Sequence, residues 1–207
     1  MKLATPILLL TFLVVLLACR KEKTCIDVSL VPPCVAAVFP ESGADLGFTS
    51  ANTAIDFLIE STTRQLHEMV TSTSDDCFTH ETLSTVLRDM DNKYELVFSY
   101  PAQNFNGVFY IYFKDILADT EDRFSIYLKE ECSSIETFFM SEEEGETFID
   151  SIMIEGQSYQ NVYKMANQWI HDGSDFNDNN KFQFVYYSIE DGIILFESAD
   201  ESWVRKH

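Results

Sequence analysis

The sequence predicts a mainly β fold: an antiparallel meander forming a sandwich or a half-open barrel, with one short helix allowed. Three observations lead there. Apolar residues alternate with polar ones in many short segments, the period of a strand with one buried face. Glycine-containing turns, Asp191-Gly192 above all, separate runs rich in β-branched and aromatic residues. The chain of 207 residues holds 17 Phe and 9 Tyr and is 46% hydrophobic, enough to bury a core despite a net charge of -20.

The first segment is not fold. Met1-Lys2 is followed by an apolar run from Ile7 to Ala18, interrupted by Thr11. That run is too short for a bilayer span of about 20 residues. It fits the apolar region of a secretory signal behind a basic start. It ends Leu16-Leu17-Ala18-Cys19, which resembles the lipobox of bacterial lipoproteins. The resemblance implies cleavage before Cys19, diacylation of its sulfur and acylation of the new amino group. Membrane attachment would then run through lipid on Cys19, each buried methylene contributing about 0.8 kcal/mol. Arg20, rather than Asp, after the cysteine resembles the outer-membrane sorting pattern of enterobacteria, with either the periplasmic or the surface face open. The expected division is a signal peptide at 1–18, an anchor and tether at 19–40, and one β-rich domain at 41–207.

The strands follow in order. Ile55, Phe57 and Ile59 alternate with Asp56, Leu58 and Glu60. Leu83, Val86, Leu87 and Met90 lie at i, i+3, i+4 and i+7, a helical face, yet the stretch is rich in Thr and Ser. Residues 79–90 are therefore open between helix and strand, with a lean to strand. Tyr94, Leu96 and Phe98 alternate after the turn signal Asp91-Asn92. Phe109, Ile111 and Phe113 share one face, Tyr110 and Tyr112 the other. Phe124, Ile126 and Leu128 alternate with Ser125, Tyr127 and Lys129. Two further arms, Phe148 to Met153 and Tyr159 to Met165, join through Glu155-Gly156-Gln157-Ser158, and Ala166–Ile170 allows a helical turn. The last hairpin joins Phe182–Tyr187 to Ile193–Phe196 through Asp191-Gly192. Phe39-Pro40, Gly43 and Phe48, then Val162-Tyr163-Lys164-Met165, Tyr186-Tyr187-Ser188, Gly192-Ile193-Ile194 and Trp203, resemble small β-rich lipoproteins of Bacteroidota-like bacteria. That resemblance implies a β-sheet lipoprotein and no particular chemistry.

Besides Cys19 the chain has Cys25, Cys34, Cys77 and Cys132, an even number that suits two disulfides in an oxidising envelope. Three connectivities are open; Cys25–Cys34 with Cys77–Cys132 is preferred, because Pro32-Pro33 suits a short closed loop. There is no Cys-x-x-Cys, and the four His have no ligand spacing with the cysteines.

Composition and motifs narrow the function. With 34 Asp+Glu against 14 Lys+Arg the chain repels phosphate, so nucleic acid is not an expected partner. Asp175, Asn177 and Asn179 alternate as at the start of a calcium loop, which takes hard oxygen ligands at every second position. Asn180 stands where that loop needs Gly, and Tyr186 where it needs a bidentate Glu. The stretch reads as a polar loop, with calcium the alternative; no other cofactor is expected. Gly-x-Ser-x-Gly, His-Glu-x-x-His and phosphate-loop motifs are absent, so no catalytic residue is assigned and the protein is not expected to be an enzyme. Tyr110, Tyr112, Tyr186, Tyr187 and Trp203 are candidates for a stacking surface, set against the simpler reading that they pack the sheet. The expectation is a lipid-anchored envelope protein, acting as a binding or structural module toward a protein, glycan or lipid. The alternatives are a carrier of a hydrophobic ligand in a half-barrel and, more weakly, a periplasmic or glycan hydrolase.

Overall fold

The computed structural model describes residues 27–37, 39–40, 46–51, 53–70, 77–102, 107–128, 146–168, 181–188 and 190–206. In chain order these form β1 (Asp27–Ser29), α1 (Pro33–Ala37), β2 (Leu46–Thr49), β3 (Ala54–Val70), β4 (Cys77–Asp89), β5 (Tyr94–Pro101) and β6 (Gly107–Asp115). They continue with β7 (Thr120–Leu128), β8 (Glu146–Ile154), β9 (Gln157–Ala166), β10 (Phe184–Ser188), β11 (Gly192–Glu197) and β12 (Ser202–Arg205). The expected fold class holds: the strands form one antiparallel sheet, curled into a half-barrel, in the order β7-β6-β5-β4-β3-β2-β12-β11-β10-β9-β8. β1 stands apart from that path and pairs parallel with β4.

Nearest neighbours in sequence pair as hairpins in both halves of the chain, and β2 joins the halves by pairing with β12. The approach there is close. A Cβ on Gly47 would lie 2.6 Å from Asp56 Oδ1 and 2.8 Å from Lys206 Cδ, so a side chain there would displace the Asp56–Lys206 ion pair that crosses it. The hairpin turns obey local chemistry. Glu155 and Gly156 have φ of 49° and 86° between the paired Ile154 and Gln157, a two-residue turn with both central residues left-handed. Asp89 caps the β4–β5 turn: its carboxylate accepts from the N–H groups of Asp91, Lys93 and Tyr94 at 3.2, 2.7 and 2.6 Å.

Residues 79–90 resolve as strand. Leu83 and Leu87 point inward with Thr85, Val86 points outward, and Met90 lies exposed on the following turn. The helical spacing was thus a coincidence of one strand parity with two residues that do not share its buried face. Of the helical turn allowed at Ala166–Ile170, Ala166 belongs to β9, and residues 169–170 lie outside the described residues.

The core lies inside the curl. Phe48, Phe57, Phe98, Phe109, Phe113, Phe124, Phe182, Phe196, Tyr187 and Trp203 are all at most 2% exposed, and they meet mainly edge-on or tilted. At one end Val31, Val35 and Phe39 close over this core, Phe39 lying 5.5 Å from Phe109. Val31, Val35 and Phe39 therefore pack on the body, within the stretch expected as anchor and tether at 19–40. Apolar burial is the reason: Val35 is 1% exposed, and the Val31 N–H donates to Glu81 Oε2 at 2.9 Å.

A second, smaller core lies outside the curl. Consecutive residues divide between the two: Tyr187 and Trp203 belong to the inner cluster, Tyr186 and Val204 to the outer. Because neighbouring strand residues face opposite ways, the outer cluster packs on the other face of β10–β12. Tyr159 and Val162 of β9 cover it, with Ile149, Ile152 and Ile154 of β8.

Candidate functional site

Two features are candidates, the outer face of β5–β7 and the end of the barrel beside the β4–β5 turn. On the outer face, strand pairing lines up Arg88, Glu95, Lys114 and Glu121 across β4 to β7. Their charges alternate, with Arg88–Glu95 at 2.7 Å, Lys114–Glu95 at 3.3 Å and Lys114–Glu121 at 3.4 Å. Glu60, at the bulge in β3, extends the row 3.3 Å from Arg88. Burial opposes ionisation of Glu95, but hydrogen bonds and charge from Arg88 and Lys114 outweigh it and hold its carboxyl below the usual range. One row further along, Tyr110 and Tyr112 project from β6 with ring centroids 5.8 Å apart. The Arg123 guanidinium from β7 lies 4.4 Å from the first ring and 5.6 Å from the second. This half-exposed cluster of two phenols and a guanidinium can stack planar or sugar-like groups and donate hydrogen bonds to them.

The five expected surface aromatics separate. Tyr110 and Tyr112 lie together on the outer face. Tyr186, Tyr187 and Trp203 are corrected to buried positions, at 6%, 0% and 2% exposure. Tyr186 points outward as strand alternation requires, but the β8–β9 hairpin covers that face; its hydroxyl donates to Glu197 Oε2 at 2.8 Å. Burial pushes the Tyr187 hydroxyl well above the ordinary phenol range. Cys19, Cys25, Cys132, Asp175, Asn177 and Asn179 lie outside the described residues. The backbones of Cys34 and Cys77 fall in α1 and β4, but their side chains also lie outside them. Among the described residues no group of three or more His, Cys, Asp or Glu is placed to hold a metal ion.

Sequence reading missed the barrel end. There Asp122 (2% exposed) and Asn167 (0%) form a buried polar clasp between β7 and the end of β9. Asn167 Nδ2 donates to Asp122 Oδ1 at 2.8 Å and to the Phe182 carbonyl at 2.9 Å. Asp122 Oδ2 accepts from the N–H groups of Lys181 and Phe182 at 3.1 and 3.0 Å. The clasp fixes the Lys181 backbone, and its ammonium reaches over four rings. Nζ lies 3.9 Å from the Trp203 centroid, 4.5 Å from Tyr94, 5.6 Å from Phe182 and 6.0 Å from Phe113. It also donates to the Tyr94 hydroxyl at 3.1 Å. No local spacing announces this cage, because its walls come from β5, β6, β12 and the segment before β10. The usable signal was a lysine directly before the Phe182-Gln183-Phe184 run.

Comparison with protein-family models, curated proteins and solved structures finds no match.

Proposed function

We propose that the protein is a lipid-anchored module of a bacterial cell envelope, held at the outer membrane by Cys19, which acts by binding or scaffolding through its outer surface without catalysis. The observation that carries this reading is the solid inner core. Phe113 alone meets Phe57, Tyr94, Phe182, Phe196 and Trp203 with centroids 4.9 to 6.4 Å apart. Carriers enclose ligands in an interior of several hundred Å³, and a half-barrel filled with rings favours recognition from outside. The Tyr110–Tyr112–Arg123 cluster supplies an outward recognition surface, and the acidic body suits a domain standing off an anionic membrane. The anchor itself rests on the Leu16-Leu17-Ala18-Cys19 sequence.

Native mass spectrometry of the protein purified from its source tests both parts. The expected species is a chain beginning at Cys19 and carrying covalent acyl chains, with no further lipid held non-covalently. Cys19→Ser should abolish the acyl mass. A wild-type N-terminus without acylation would remove the anchor from the proposal. A stoichiometric non-covalent lipid held by its acyl chains, and not merely by its headgroup, would replace the surface module with a carrier.

A further inference from the structure

We propose that the Trp203–Tyr94–Phe113–Phe182 cage is a binding site for alkylammonium cations of the choline class, which Lys181 occupies when no ligand is present. This goes beyond the surface module above, since it lies at the barrel end and not on the Tyr110 face. Four aromatic walls within about 6 Å of an ammonium are the arrangement that recognises quaternary ammonium groups, through the negative faces of the rings. The walls are mutually steep: Trp203 meets Tyr94 at 82°, Phe113 at 88° and Phe182 at 73°. All four rings are at most 4% exposed and are held in place by the packed core, so the space a ligand would take is the one the Lys181 side chain fills.

Three further observations point to a ligand rather than a simple plug. In a chain of 34 acids, Lys181 makes no salt bridge among the described residues and turns to rings instead. Its backbone is pinned by Asp122, so only the flexible side chain has to swing out to vacate the cage. And the indole Nε1 of Trp203 is buried with no hydrogen-bond partner among the described residues. At long range a body of net charge -20 draws cations toward it, while at the cage itself Lys93 Nζ lies 4.7 Å from the Tyr94 ring and has to withdraw along with Lys181.

The test uses the full chain in dodecyl maltoside and ligand-observed NMR. Probes are choline, tetramethylammonium, the neutral choline isostere 3,3-dimethylbutan-1-ol, and short-chain phosphatidylcholine below its micelle concentration. Saturable binding of the cations to the wild type is expected, with none for the neutral isostere. Lys181→Ala should bind the cations at least tenfold more tightly, because the tethered competitor is gone. Met153→Ala, an exposed change on β8 away from the cage, should bind the cations as the wild type does, a control for folding. Tighter binding of phosphatidylcholine than of choline would assign the site to a lipid headgroup, and the reverse to a free cation. Equal binding of the neutral isostere would overturn the proposal, as would the absence of binding to both proteins. Binding to Lys181→Ala alone would overturn it too, by making Lys181 a permanent plug. None of these results depends on acylation of Cys19, so failure here leaves the anchored-module reading standing.

Discussion

The inner and outer cores are built from different chemistry and hold different things. Inside the curl, rings from β2, β3, β5, β6, β7, β10, β11 and β12 interlock, so each residue is fixed by several strands at once. Outside, the cluster is mostly aliphatic, and its cover is a single hairpin, β8–β9. β8 pairs only with β9 among the described residues, and Phe148 and Met153 on it are 51% and 66% exposed. The contrast teaches which part of the molecule sets the fold and which part is an attachment to it. Losing the inner core would undo the curl; losing the outer one would release a flap.

The largest expected effect follows from that difference. Phe113→Ala removes a ring that is 1% exposed and touches five other aromatics. It should destabilise the protein by about 3–5 kcal/mol, read as a lower midpoint in urea with loss of the near-ultraviolet aromatic signal. Val162→Ala, equally buried at 0% but in the outer cluster, should lose only about 1.5–2.5 kcal/mol, because two methyl-sized groups are deleted. Its hydrogen-exchange signature should differ in kind. Protection should fall in β8 and β9 and stay unchanged in β5 and β6, a local opening rather than a global one. Equal losses for the two variants, or uniform deprotection in Val162→Ala, would merge the two cores into one.

The same division explains what could be read from the sequence. Strands with one buried face were legible: the alternation of β5, with Tyr94, Leu96, Phe98 and Tyr100 buried, is visible residue by residue. The left-handed turn residues Gly156 and Gly192 were legible as well, since their positive φ demands glycine or a close substitute. β10 and β11 were readable as strands but not in their environment. Alternation assigns Tyr186 to an outward face, and nothing local tells that another hairpin covers that face. The packing of the N-terminal segment was not legible for a related reason. Val31, Val35 and Phe39 are an apolar set whose destination, the end of a barrel built from distant strands, no short window contains. The Lys181 cage and the Asp122–Asn167 clasp are likewise products of closure, invisible until β7 and β9 meet.

The smallest expected effect concerns a region that neither core holds. Beyond the bulge at Glu60, β3 runs on with Ser61 to Glu68 exposed, paired to β4 as a ribbon. There His67 and His80 are directly opposed across the strands, their rings stacked 5.4 Å apart. Burial, and secondarily the charge of His67, lowers the pKa of His80 from its ordinary 6.5. Glu81 offers no relief, since it accepts from the Val31 N–H and pairs with Arg64 at 3.6 Å; on its other side His80 meets Ser29 of β1. The unfolded chain therefore binds a proton more readily than the native one. The contribution of His80 is fully present above pH 6.5 and is lost as pH falls through that value toward the lowered native one. Wild-type protein should lose stability between pH 7.5 and 5.0, and His80→Gln should lose less, measured as the shift in urea midpoint between those two values. Protection in the ribbon and in β1 should fall first. An identical pH shift in both proteins would show that neither the burial of His80 nor the charge of His67 penalises its protonation, and would leave burial in the two cores as the dominant control on how this sheet opens.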